Sequence, residues 1–566
     1  MKVKRFISLM MVMVMSLVMM TTAVSASKIN VSSVGASGTI GAIKWSVTNN
    51  GTLTLTGDGY MPDFDGEGID IPWSDYETDI TVTSVIIGSG IKNICSYCFE
   101  SNEELTSITF EPNSQLESID ESAFEYSEIN SITLPDSLKT INENAFRRCS
   151  KLTSVSTNAE VVVNKYAFND CSRLVTANMP NATLESYAFN NVQSLQNVTA
   201  GILNNYALFN ISSLRNINIT SAESIGKYAL YGCKNVKSIS SKATSVGDKA
   251  FYNCSSIERV NLPEVLSIGE YAFYGLSNLT TVELGKVEDI GKNAFYNCKK
   301  LKTVTGTKYL NRICDGAFGM DTCLSNLVTT NRLGYIGTKA FYNCKSLKGD
   351  INVDKVSYVG KYAFANCYNL SSTLVFKGVE RIDYCAFLNC KKIKCNSLGS
   401  KITSLGSYAM LGCGSINSLY IPSSCQSIGA NSLIKNVTFC SVSSTGSLSY
   451  KYNKNGAKIN IYGDKDCAAQ KYANKYKVNF YYAVKRIVLN KSSVTLLKNK
   501  TTTVAVKSIS PSNAKIKTVS FTSSNNNIAT VSSKGIIKGI SKGTCYIYAK
   551  AKDGSGRYAK VRVTVR

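Results

Sequence analysis

Apolar positions in this chain recur with a fixed beat over more than three hundred residues. A segment reading Ala-Phe-x-x-Cys, usually preceded by Ile-Gly, returns again and again. Its large residue falls at Phe99, Phe124, Phe146, Phe168, Phe189, Leu208, Leu230, Phe251, Phe273, Phe295, Phe318, Phe341, Phe364, Phe387, Met410 and Leu433. The spacing runs from 19 to 25 residues and settles at 23 after Phe295. Each segment is followed by L-x-x-V-x-L, as in Leu279-Thr-Thr-Val282-Glu-Leu284. The alternation in V-x-L predicts a short strand with Val and Leu facing inward. No helical period survives beyond a single motif.

A unit of about 22 residues cannot bury its own apolar edge, whereas stacked units can. The pattern therefore predicts a mainly β repeat solenoid of about sixteen units, roughly 75 Å long at ~4.8 Å per rung. Its inward ladder includes Phe124, Phe146, Phe168, Phe251, Phe273, Phe295, Phe341, Phe364 and Phe387. A cysteine follows three residues later in nine units, among them Cys298, Cys344 and Cys367. Metal ligands would have to converge, and a ladder does not. Disulfides between neighbouring rungs meet the distance limit, yet Cys298 has no counterpart in either adjacent unit. Packing as small buried thiols is the preferred reading.

The units resemble BspA-like leucine-rich repeats. The family pattern I-G-x-x-A-F-x-x-C-x-x-L-x-x-V-x-L-P is met nearly verbatim by Ile290-Gly291-Lys-Asn-Ala294-Phe295-Tyr-Asn-Cys298-Lys-Lys-Leu301-Lys-Thr-Val304. The resemblance covers about residues 93–440. It implies a bacterial surface protein with adhesion or host-interaction roles, binding matrix proteins or partner cells.

The flanks carry different signals. Residues 1–26 read as a secretory leader: Lys2, Lys4 and Arg5, an apolar run from Phe6 to Met20, then small residues to Ala26. Residues 27–92 predict a small N-terminal β cap, with an Asn50-Gly51 hairpin. Residues 441–484 predict a closing cap, with a strand at 459–463 and a short helix from Asp466 to Tyr476 that offers Cys467, Tyr472 and Tyr476. Residues 485–566 show short alternating strands separated by turns, as a β-sandwich requires. This segment resembles a group 2 bacterial immunoglobulin-like domain through Ile487-Val-Leu-Asn490, Ala529-Thr-Val531, Gly535, Gly539 and Gly543. Phe521 stands where such domains place Trp.

Charge changes the picture only at one end. The chain holds 63 Lys+Arg against 39 Asp+Glu, a net +24. Residues 485–566 alone hold 17 basic residues and one acid, Asp553. That concentration suits an anionic wall polymer, although solvated surface charge is the ordinary alternative. There is no histidine, which removes Ser-His-Asp and Cys-His catalysis and His-ligated zinc. The acids Asp58, Asp63, Asp65, Glu67, Asp70, Asp75, Glu77 and Asp79 cluster in the N-terminal cap. They fit a solvated loop better than a calcium site, and they are the one candidate pair for glycoside hydrolysis.

The outward residues of the predicted sheet are almost all Ser, Thr or Asn. The candidate contacts are Asn197, Asn216, Asn218, Arg259, Asn261, Thr281, Glu283, Thr303 and Tyr420. A polar, nearly neutral face suits hydrogen bonding to an extracellular protein or glycan and argues against nucleic acid. The expectation is an exported, non-enzymatic, adhesin-like binding protein. It has no catalytic residue, metal, cofactor or membrane span, and its basic sandwich serves as stalk or wall anchor. The alternatives are a carbohydrate-active enzyme using cap carboxylates and a wall-structural protein without a specific ligand.

Overall fold

A computed structural model describes residues 34–64, 71–73, 80–327, 329–348, 351–435, 437–442, 448–452 and 459–566. The secretory leader and the cap acids Asp65, Glu67, Asp70, Asp75, Glu77 and Asp79 lie outside the described residues.

The repeats form a β-solenoid of about 17 turns with a C-terminal immunoglobulin-like region. The large residues of the motif stand in one buried column. Rings stack from Phe99 through Phe124, Phe146 and Phe168 to Phe189, with centroids 5.1–5.3 Å apart. Leu208 and Leu230 interrupt the rings. Stacking then resumes from Phe251 to Phe387, at 5.0–5.6 Å. Trp73, 3% exposed, stacks on Phe99 at 6.0 Å and closes the N-terminal end of the column.

Backbone bonds run from rung to rung in three columns, the first of them interrupted. The first is the V-x-L strand, for example Arg259–Leu262 paired in parallel with Thr281–Leu284. The second runs through the Ile of Ile-Gly: Ser267–Ile268 pairs with Asp289–Ile290, which pairs with Arg312–Ile313. This second ladder was not expected from the sequence, because two-residue strands are too short to show alternation. It explains the glycine of the motif. A Cβ on Gly247 would sit 2.6 Å from the Lys227 nitrogen and 2.8 Å from the Gly226 carbonyl carbon of the previous rung. The third column lies in the turn, where the Phe N–H donates to the Ala carbonyl of the next rung, as Phe295 does to Ala317 at 2.8 Å.

The nine motif cysteines explain themselves in the same way. Each thiol donates to the carbonyl of the large residue one rung back, as Cys344 Sγ does to Phe318 O at 3.0 Å. Cys149, Cys171, Cys233, Cys254, Cys298, Cys367, Cys390 and Cys413 repeat that bond at 3.0–3.2 Å. Burial pushes the Cys233 thiol up to about 12, so it stays a neutral donor. Eighteen cysteines, the nine motif thiols among them, form no disulfide.

The N-terminal cap is an antiparallel hairpin, Ile43–Thr48 with Thr52–Gly57, turned at Gly51 with φ +79°. Thr52–Gly57 then pairs with Ser84–Ile87, which leads into the solenoid strand Ser107–Phe110. At the far end the strand Asn460–Gly463 and the helix Ala468–Tyr476 close the core. The Tyr472 hydroxyl there accepts from Leu433 N–H at 3.2 Å. The sandwich packs the sheet Ser493–Leu496, Tyr558–Val565, Gly543–Ala551 and Val519–Ser523 over a core containing Val504, Ile537, Ile547, Val561 and Val563.

Candidate functional site

The sheet built by the V-x-L strands is not one continuous surface. The strand Asn216–Ile219 pairs with Asn197–Leu203 on one side. The next strand, Ser238–Ser240, pairs only with Arg259–Leu262 beyond it. Among the described residues no strand pairing joins Asn216–Ile219 to Ser238–Ser240, so two strand edges face each other unpaired. These are the two rungs in which Leu208 and Leu230 replace Phe. They follow the shortest unit, the 19 residues from Phe189 to Leu208. Coils of unequal circumference and core volume cannot keep every ladder in contact.

A cavity of about 490 Å³ opens at this gap. It is lined by Asn197, Val198, Thr199, Arg215, Asn216, Ile217, Asn218, Asn235, Lys237 and Ser238. The structure thus brings three of the sequence candidates together, Asn197, Asn216 and Asn218. Asn216 Nδ2 donates to Asn197 Oδ1 at 2.7 Å, which aligns the amides across the two rungs. Ile217, at a position where most of the other strands bury an apolar residue, is only partly buried and forms an apolar floor. Arg215 and Lys237 flank the cavity exposed, and among the described residues neither enters an ion pair. Sequence reasoning missed both, along with Asn235, because they precede the V-x-L positions. Comparing the residue two before Val between adjacent units would have found Arg215 and Lys237 in one column.

The other candidates lie elsewhere. Arg259, Asn261, Thr281, Glu283 and Thr303 sit side by side on the unbroken sheet that follows, with Arg259 opposite Thr281 and Asn261 opposite Glu283. They form a flat face, not a cavity. Tyr420 corrects its expectation. It is 8% exposed and packs with Tyr462 and Ala483 between the solenoid and the sandwich, so it is a junction residue and not a surface contact. In the cap, Asp63 Oδ1 accepts from Ser96 N–H at 3.0 Å, which ties it to the first turn of the solenoid. A second break, between Ser107–Phe110 and Ser131–Thr133, opens a cavity of about 740 Å³ lined by Thr109, Glu111, Ser114, Thr133 and Asp136 among others. Among the described residues no group of three or more His, Cys, Asp or Glu could hold a metal ion. No described helix is long and apolar enough to cross a membrane.

The model of the BspA-type leucine-rich repeat region matches residues 70–196, 201–322 and 311–440, well over half the chain. The chain belongs to this BspA-type leucine-rich-repeat family. The model of the group 2 bacterial immunoglobulin-like domain matches residues 483–561. The BspA-type chain is similar to a leucine-rich repeat protein from Bacteroides ovatus, at 18% identity, with 79% of this chain and 99% of that one covered and a TM-score of 0.40. It is also similar to a leucine-rich cell-surface protein from Faecalibacterium prausnitzii, at 20% identity, with 71% and 93% covered and a TM-score of 0.27. A kappa-carrageenase of Pseudoalteromonas carrageenovora is 37% identical over 87 residues, which is 15% of this chain. The chain spans about a fifth of the length of that curated relative. The members and neighbours of the BspA-type family to which it is alike over most of its length are repeat proteins.

Proposed function

We propose that this protein is an exported, non-enzymatic binding protein of the bacterial surface. Its V-x-L sheet face takes an extended peptide segment of a protein ligand at the gap between Asn216–Ile219 and Ser238–Ser240. The observation that carries the reading is the pair of strand edges left unpaired there, between two runs of laddered strands. Such edges offer main-chain donors and acceptors to an added strand. Ile217 supplies an apolar floor, and the four asparagines supply amide donors and acceptors. Arg215 and Lys237 favour acidic residues in the ligand, because among the described residues no carboxylate forms an ion pair with them. The sandwich, carrying 17 basic residues and one acid, tethers the chain to an anionic wall polymer.

The test is a binding screen of the full chain against arrayed extended peptides, acidic and neutral, with Arg215→Glu/Lys237→Glu as the comparison. Acidic peptides retained by the wild type should lose about tenfold or more in affinity on reversal of the two charges. Retention of the same peptides by the reversed variant would defeat the reading.

A further inference from the structure

The single acid of the sandwich is not on its surface. Asp553 is 4% exposed. Its Oδ2 accepts from Val484 N–H at 2.5 Å, and its Oδ1 accepts from Ser555 N–H at 3.0 Å and Ser555 Oγ–H at 2.6 Å. The domain therefore shows solvent 17 cationic side chains and no free carboxylate.

One face of the domain combines those cations with aromatic rings. On the strands Gly543–Ala551 and Tyr558–Val565, Tyr546 stands opposite Arg562, Tyr548 opposite Lys560, and Lys550 opposite Tyr558. Cys545, Ile547, Val561 and Val563 point the other way into the core. Lys560 lies 4.7 Å over the Tyr546 ring, and Tyr548 meets Tyr558 edge to face at 5.4 Å. Tyr558 is 59% exposed. Ser520 and Thr522 extend the face as the partners of Lys550 and Tyr548 on the next strand. At its lower end Lys550 also lines a cleft of about 690 Å³ between the sandwich and the solenoid. Lys552 and Lys377 share that cleft with the exposed Val375. Lys377 is paired there with Asp354 at 2.8 Å. From Tyr546 to Lys552 the path is ~20 Å long at ~3.4 Å per residue.

We propose that this tyrosine–lysine face, running into the junction cleft, is the docking surface for a phosphate-bearing polysaccharide of the cell wall. The proposal rests on the tethering role given to the sandwich above and assigns it a site. Charge complementarity demands a polyanion. Four of the five cations on the path are lysines, point charges that suit tetrahedral phosphate, whereas planar carboxylates are best met by bidentate arginine. A nucleic acid would need free ring faces in a row for its bases. Here one face of the Tyr546 ring is covered by Lys560, and Tyr548 and Tyr558 stand edge to face at 77°, so the rings offer no row of parallel faces. Single ring faces, phenol hydroxyls and the hydroxyls of Ser520 and Thr522 are groups that suit a hydroxyl-rich sugar chain.

The experiment uses the full chain and purified wall teichoic acid carrying sugar substituents. Single-stranded DNA of matched charge and neutral dextran are the comparison polymers. Lys550→Glu/Lys560→Glu/Arg562→Glu should weaken teichoic acid binding about tenfold or more, with a shallower salt dependence. Tyr546→Ala/Tyr558→Ala should weaken it severalfold and leave the salt slope unchanged, which a purely ionic role would not produce. Reversal of Lys500, Lys534 and Lys538, next to or on the opposite sheet, should leave binding within about twofold. Equal losses from the two triple reversals would overturn the site while leaving the tethering role standing. No teichoic acid binding by the wild type would remove both. DNA bound as tightly as teichoic acid would overturn the choice of polymer. Thermal melts of each variant check folding, and the single change Tyr558→Ser, at the most exposed ring, repeats the test if a triple variant is unstable.

Discussion

At the scale of single residues, each motif position answers a local demand of stacking. The position two after the large residue has positive φ in most rungs, near +60° to +67° at Asn253, Asn297, Asn343, Asn366 and Asn389. Asparagine tolerates that conformation better than other side chains do. Three of these residues also form an amide ladder, in which Asn366 Nδ2 donates to Asn343 Oδ1 and Asn389 Nδ2 to Asn366 Oδ1, both at 2.8 Å. The rung of Phe318 breaks the cysteine rule, for Asp321 stands in the thiol position and is fully buried. Its Oδ1 accepts from Cys298 N–H at 2.7 Å, and its Oδ2 has no acceptor-type contact. By register, Asp321 stands in the column whose thiols donate to the carbonyl of the large residue one rung back. Burial pushes the Asp321 carboxyl well above the usual carboxylate range. Its neighbours Cys298, Cys344 and Tyr296 bring no positive charge. A raised carboxyl pKa in the folded state means that stability falls as pH climbs from about 4 through the folded value. Asp321→Asn, which keeps the shape and donates without a titratable proton, should therefore raise the melting temperature at pH 7.5. It should also flatten the stability profile between pH 4 and 8. A lower melting temperature for the variant at pH 7.5 would mean that the carboxylate is ionised and satisfied.

At the scale of the element, one rung is stable only through its neighbours. Phe295 stacks on Phe273 at 5.0 Å and on Phe318 at 5.4 Å, so its loss opens a cavity that touches three rungs. Phe295→Ala should cost about 3–5 kcal/mol. Because contacts in a solenoid are between nearest neighbours, the damage should stay local. Hydrogen exchange of the full chain should show lost protection around residues 273–341 and unchanged protection near Phe146. Uniform loss along the whole array would contradict nearest-neighbour coupling. A second aromatic stack runs outside the core through Phe209, Tyr231, Tyr252, Tyr274 and Tyr296, at 4.9–5.7 Å. These rings bridge the rungs of Leu208 and Leu230, where the inner ring column is interrupted and the V-x-L sheet is broken.

At the scale of the whole molecule, the sandwich is docked onto the solenoid and not merely strung behind it. Gly554, at φ +86°, comes so close that a Cβ would lie 2.5 Å from the Asn396 carbonyl oxygen. Tyr420 and Tyr462 of the solenoid end pack with Ala483, Tyr481 and Ile516. Asp553 fixes the loop that makes these contacts, and Lys485 reaches Asp464 at 3.9 Å across the same joint. Asp553→Ala leaves the buried Val484 N–H without its acceptor, at a cost of about 1–3 kcal/mol. Small-angle scattering should then show a larger radius of gyration, and calorimetry should separate two unfolding transitions. An unchanged radius would show that the apolar contacts hold the joint alone. The docking joins the cationic sandwich face to the cleft beside Lys377.

Much of this architecture was legible in the order of residues. The period, the phenylalanine column, the buried thiols and the polar outward positions all follow from which residues recur, since a rung of about 22 residues has one way to bury its apolar edge. The charge contrast between the repeats and residues 485–566 was equally plain. What the sequence could not show depends on how one rung sits on another. The Ile-Gly ladder is two residues wide and leaves no periodic trace. The breaks in the V-x-L sheet are a matter of how one rung stacks on another, which no single unit records. Those breaks, and not the composition of the face, decide that Asn197, Asn216 and Asn218 line a cavity while Arg259 and Thr281 lie flat. Tyr420 shares its strand pattern with exposed residues of other rungs, and only the approach of a distant domain buries it. Covalent order settled what each rung must hide, and contact between rungs and between domains settled where the surface opens.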